Sequence, residues 1–267
     1  MIEIEPTNTT WYILISALVV SLAMILFLIL LIRQIFIKRT IGTVLLTIFY
    51  FLLAIGEITN TAGLWYFSFV IDSLKISAYL ELNFVLCYGL GYIFLYYFLT
   101  KYFLDDNDLI KSLILILLTA VISIICSFMF GEIYFNSNNG IFTTELFMEG
   151  TNITQVLPSF ISGIIVFLPI FLLIHLRIIV KIIILQKDIS SKEGKYGFLF
   201  IIFSLICFVI AAIFASIFVI PGIGQHSLTI ILIHTFRIVF TQLGLILGYF
   251  GWLYPEWLRN SIGKTTT

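Results

Sequence analysis

Apolar residues fill most of the chain in seven long runs, and polar residues gather between them. The runs cover about 11–32, 41–67, 76–99, 109–130, 156–179, 197–220 and 226–254. Each is near or above the ~20 apolar residues that a helix needs to cross a hydrocarbon core roughly 30 Å thick. The few polar residues inside the runs follow a helical step. In the seventh run His234, Arg237, Thr241, Gly244 and Gly248 recur at steps of three and four, so they share one helix face. That face begins polar and ends small. It is expected to look into a bundle, with Leu, Ile and Phe of the opposite face turned to lipid. The pattern predicts an all-α polytopic membrane protein, a seven-transmembrane-helix bundle forming one domain over residues 1–267.

Composition sharpens this picture. The chain is 61% hydrophobic and only 10% charged, against roughly a quarter charged in soluble domains. Basic and acidic residues balance at 14 each, so the net charge points to no nucleic-acid partner. The N-terminal MIEIEPTNTT is acidic and lacks a basic leader region, so the first run is expected to remain as a span. Cys87, Cys126 and Cys207 all fall inside apolar runs and behave there as small hydrophobes rather than as a disulfide framework.

Charge placement orients the bundle. Arg33, Lys38, Arg39, Lys101, Lys111, Arg177, Lys181, Lys187, Lys192, Lys195, Arg259 and Lys264 all fall at one end of the alternating spans. Lys75 stands alone at the other end. The positive-inside rule then predicts an outside N-terminus and a cytoplasmic C-terminus, in a multi-pass protein of the cell membrane. The sequons at Asn8 and Asn152 both land outside in this assignment. The outer connection places β-formers on both sides of Asn138-Asn139-Gly140, which predicts a short hairpin. The inner connection continues the fifth run, and its basic residues predict a helix leaving the membrane among lipid headgroups.

The candidate chemistry lies at mid-membrane. A guanidinium there costs about 2.5–3.5 kcal/mol on insertion scales and marks a functional-site hypothesis by default. Arg237 lies roughly 16 Å along its helix from His226, and Glu57 lies roughly 13 Å in from Tyr66 on the second run. If the two helices are antiparallel neighbours, Glu57 faces Arg237 and Asn60 faces His234. A Glu57–Arg237 ion pair is therefore expected, with Glu81 as the second carboxylate and Asn83 beside it. Gly244, Gly248 and Gly251 form a small-residue stripe that permits close helix approach inside the bundle or, alternatively, in a homodimer. Pro169 removes a backbone donor within the fifth run and is expected to bend or break it near residues 163–166. Trp252, Tyr254 and Trp257 read as an interfacial aromatic belt.

Other chemistry lacks its residues. His175, His226 and His234 fall at different depths, so no metal site is expected, and no serine or cysteine has a histidine at convincing spacing. No phosphate-binding loop occurs. The last run has no lysine for a retinal Schiff base, and receptor signatures are missing from the ends of the third and seventh runs. No cofactor and no enzymatic activity are expected.

The exit GWLYPEWLRNSIGK resembles the juxtamembrane end of small archaeal seven-helix membrane proteins, some of them fused to sensor kinases. The resemblance covers about fifteen residues. It implies a sensor-like or receptor-like module. The expected function is binding of a small ligand in an outward-facing polar cavity centred on Arg237, with a cytoplasmic protein partner and the surrounding lipids as contacts. A small transporter or proton-coupled permease, or a structural membrane subunit, is the alternative.

Overall fold

Seven helices form where the seven apolar runs lie. They are α1 (Asn8–Ile37), α2 (Ile41–Phe69), α3 (Leu74–Tyr102), α4 (Asp108–Asn139), α5 (Pro158–Asp188), α6 (Lys192–Ile217) and α7 (Ser227–Gly248), the last ending in a π-helical turn, Tyr249–Leu253. The computed structural model describes residues 8–37, 40–69, 74–104, 107–139, 158–189, 191–217 and 227–253. Among these residues all seven helices are long and apolar enough to cross a membrane, as in a multi-pass membrane protein.

Local chemistry sets several helix ends. Thr40 Oγ1 accepts the Thr43 N–H at 3.2 Å, Asn107 Oδ1 accepts the Leu109 N–H at 3.2 Å, and Ser191 Oγ accepts the Gly194 N–H at 3.2 Å. These caps satisfy orphan donors where α2, α4 and α6 begin. Lys101 and Lys187 lie in the last turns of α3 and α5, where a cation complements the helix dipole.

Each helix packs against the next, and α7 returns against α1, which closes a ring. The main core lies toward one end of that ring. Leu31 of α1, Tyr50 of α2, Leu99 of α3, Leu118 of α4, Ile182 of α5 and Leu205 of α6 are all buried there. Arg33, Lys101, Lys111, Arg177, Lys181, Lys187, Lys192 and Lys195 lie at the same end, which is called the basic half below. A smaller cluster of Ala78, Ile125, Met129 and Ile133 joins α3 to α4 toward the other end. Leu26, Phe36, Ile116, Phe128 and Leu173 face outward, as a lipid-facing surface requires.

Three expectations change. The first arm of the expected hairpin is helix, because α4 continues to Asn139. Extending an existing helix costs a poor helix former well under about 1 kcal/mol, so β-formers follow it past the span. Residues 140–157 lie outside the described set. Of the bend or break expected at Pro169, the break is absent, since the α5 helix is continuous around it. One missing N–H is tolerated in a membrane helix through small local adjustments. Trp252 points into the bundle rather than along an interface, with its ring 5.3 Å from Phe98 and 6.0 Å from Phe103. Tyr254 and Trp257 lie outside the described residues, as does His226.

Candidate functional site

The packing of α1, α2 and α3 fixes where Glu57 sits. Ser21 Oγ donates to the Glu57 carbonyl at 3.0 Å, and Thr61 Oγ1 donates to the Ala17 carbonyl at 3.2 Å. The two hydroxyls meet at 2.8 Å. Such bonds hold helix registers in a membrane, each worth about 0.6 kcal/mol and up to about 1.7. On the α3 side Gly56 lets the Tyr88 ring approach, and a Cβ there would lie 2.8 Å from Tyr88 Cδ2. Tyr88 thereby reaches over α2, and its hydroxyl donates a short hydrogen bond to Glu57 Oε1. Glu57 is only 4% exposed, yet its second oxygen, Oε2, has no hydrogen-bond partner among the described residues.

Arg237 stands across the bundle interior on α7. It is half-buried, and its guanidinium makes neither a hydrogen bond nor an ion pair among the described residues. The expected Glu57–Arg237 ion pair does not form. The reason is the ring order: α7 packs against α6 and α1, and α2 packs against α1 and α3. With α1 between them, α2 and α7 are not the antiparallel neighbours that the depth argument required. Glu57 and Arg237 instead look into one cavity from different walls.

Two cavities meet at Arg237. The first, about 100 Å³, is lined by Glu57, Tyr88, Arg237 and Thr241 and continues past Tyr50, His175 and Ser204 to Trp252. Arg237 and Trp252 are separated by roughly 22 Å along the helix at ~1.5 Å per residue. The second, about 280 Å³, lies between α3, α4, α5 and α6 and is lined by Asn60, Glu81, Tyr88, Phe167, Phe171 and Ser216, among others. Arg237, Tyr88, Tyr92, Phe84, Ala212 and Ala215 line both. The second volume approaches the lower end of small-ligand pockets, about 300 Å³.

The remaining candidates separate. Asn60 lines the second cavity and does not face His234. His234 turns to α1, where its Nε2 meets Ser16 Oγ at 2.8 Å, and the neighbouring Thr235 meets the Tyr12 hydroxyl at 2.6 Å. Asn83 lines neither cavity, and its amide oxygen accepts a weak bond from the Cys87 thiol at 3.9 Å. His175 packs against Tyr92 and Phe171, whereas His234 packs on α1. Among the described residues no three His, Cys, Asp or Glu side chains gather as metal ligands.

The glycine stripe packs on α6. A Cβ on Gly244 would lie 3.2 Å from Phe208, and one on Gly248 would lie 3.1 Å from Ser204 Oγ and from the Tyr50 hydroxyl. One on Gly251 would lie 2.8 Å from the Ile201 nitrogen, an approach of backbone to backbone. Ser204 Oγ also donates to the Gly244 carbonyl at 2.7 Å. This stripe therefore serves the bundle interior.

Tyr88 and Tyr92 are the residues that sequence reasoning missed. Their signal was present: Glu81, Val85, Tyr88 and Tyr92 recur at steps of four, three and four, and all four line the second cavity. No family model matches the chain, and neither curated proteins nor solved structures provide a match.

Proposed function

We propose that the protein is a receptor-like or sensor-like module of the cell membrane that binds a small ligand at Arg237. One observation carries this reading: a guanidinium within a membrane span lines two cavities and has no partner among the described residues. An arginine that served only to lock two helices would be paired, because an unpaired cation in hydrocarbon is expensive. The positive-inside rule places the basic half in the cytoplasm, so the second cavity faces outward. Signals would then pass through the basic half and its connections to a cytoplasmic partner. A small transporter is the second reading. It is favoured by the first cavity, which extends from Arg237 into the basic half as far as Trp252.

The test is a thermal-stability screen of small polar and amphipathic molecules on the purified protein and on Arg237→Met. A ligand of this site shifts the midpoints of the wild type and of the variant by different amounts. Any such molecule is then assayed for uptake into proteoliposomes. Binding without uptake is the expected outcome, and uptake selects the transporter. A screen in which every stabilising molecule acts equally on Arg237→Met removes Arg237 from the site.

A further inference from the structure

The charges around the two cavities do not balance, and the imbalance indicates what would complete them. Two carboxylates and one guanidinium line the combined space: Glu57 in the first cavity, Glu81 in the second, and Arg237 in both. Arg237 is paired with neither. Glu81 makes no hydrogen bond or ion pair among the described residues. Glu57 is 4% exposed, and its Oε2 has no partner among the described residues although the side chain lines the cavity. Charges in a membrane interior are tolerated when they are paired. One guanidinium can serve only one of the two carboxyl groups well, which leaves the other open to a second cation.

The walls favour a particular kind of cation. Phe84, Tyr88, Tyr92, Phe167 and Phe171 surround the second cavity. Aromatic faces attract an ammonium group through their quadrupoles, most strongly when it is desolvated. The same rings accept an apolar body. We infer that the ligand is a small organic amine with an aromatic or aliphatic body, whose ammonium pairs with Glu81 in the larger cavity. This inference rests on the ligand-site reading above. Once the amine occupies Glu81, Arg237 has Glu57 as its remaining counter-charge. Binding at α3 and α5 would then draw α7 toward the Glu57 wall, which links occupancy to the relative placement of helices.

Three matched probes test this on the full chain in detergent at neutral pH: phenethylamine, 3-phenylpropionate and phenylalanine. Binding is read by calorimetry and by the shift of the unfolding midpoint. Phenethylamine is expected to bind most tightly of the three. Glu81→Gln, a near-isosteric change that removes an unpaired charge, should fold and should weaken phenethylamine by about 30-fold or more, as expected for losing one partner of a buried charge pair. Lys101→Gln in the basic half should leave binding unchanged. Preferential binding of 3-phenylpropionate or phenylalanine, lost in Arg237→Met, would keep the ligand site and overturn the amine. Phenethylamine binding that survives Glu81→Gln would also overturn it. Binding of none of the three would count against both the amine and the site.

Discussion

The basic half of the bundle and the opposite half are made from the same apolar residues but pack differently. In the basic half α1 to α6 all contribute to one cluster in which Leu31 and Leu99 are fully buried, and α7 lies so close on α6 that Gly251 meets backbone. In the opposite half a small apolar cluster, hydroxyls and a histidine join the helices, and a cavity of about 280 Å³ remains between α3, α4, α5 and α6. The charged centre lies where the tight packing ends. Close packing and an open interior are alternative ways to use one helix face, and large apolar or small residues give the first. Polar groups at helical spacing give the second, because they must be left room for a partner.

The largest expected effect comes from adding one methyl group to each half. Gly251→Ala would place a Cβ 2.7 Å from Ile201 Cγ1 and 2.8 Å from the Ile201 nitrogen. Backbone cannot yield as a side-chain end can, so the variant should lose about 1–3 kcal/mol. Gly131→Ala in the opposite half meets nothing within 4 Å among the described residues. It should be neutral or gain up to about 1 kcal/mol from helix propensity. Unfolding in a mild detergent measures both. Equal tolerance at the two positions would erase the contrast between the halves.

The sequence carried this contrast only in part. Seven runs and their length were legible because the bilayer imposes them, and the inward face of α7 was legible because Arg237, Thr241, Gly244 and Gly248 keep a helical step. The ring order was not legible. Depth along a helix says how far into the membrane a residue lies, and nothing about which helix stands beside it. Glu57 and Arg237 were therefore matched in depth and wrongly made neighbours, although α1 separates α2 from α7. His234 was misplaced for the same reason, since its partner Ser16 belongs to the helix left out of that comparison. Tyr88 was overlooked because an aromatic residue in an apolar helix has no distinctive signal until a carboxylate is found against it.

The second effect concerns Glu57, which belongs to both halves through its place at the boundary. A double-mutant cycle of Glu57→Gln with Tyr88→Phe should give a coupling of about 1–2 kcal/mol, near the upper end for hydrogen bonds between membrane helices. The cycle of Glu57→Gln with Arg237→Met should give a clearly smaller coupling in the unliganded protein, because no direct pair exists to lose. Addition of saturating phenethylamine should enlarge the second coupling and leave the first nearly unchanged. A strong Glu57–Arg237 coupling without ligand would restore the ion pair and remove the open guanidinium on which the proposed site depends.

The smallest effect separates scaffold from site within the opposite half itself. His234 lies one helical turn before Arg237 and is easily taken for part of the same centre. Its ring nitrogen meets Ser16 on α1, and Tyr12 meets Thr235 one residue further on. These contacts join α7 to α1 on the side away from the second cavity, and neither Ser16 nor His234 lines either cavity. A cycle of Ser16→Ala with His234→Gln should therefore give a coupling of about 0.6 kcal/mol, the average for hydrogen bonds between membrane helices. Ligand affinity should not change in either single variant beyond about twofold, because removing a clasp at one wall leaves Glu81, Tyr88 and Arg237 in place. A tenfold loss of phenethylamine affinity in Ser16→Ala, with stability kept, would mean that the α1–α7 contact is coupled to the cavity. The clasp would then belong to the responding part of the bundle rather than to its frame.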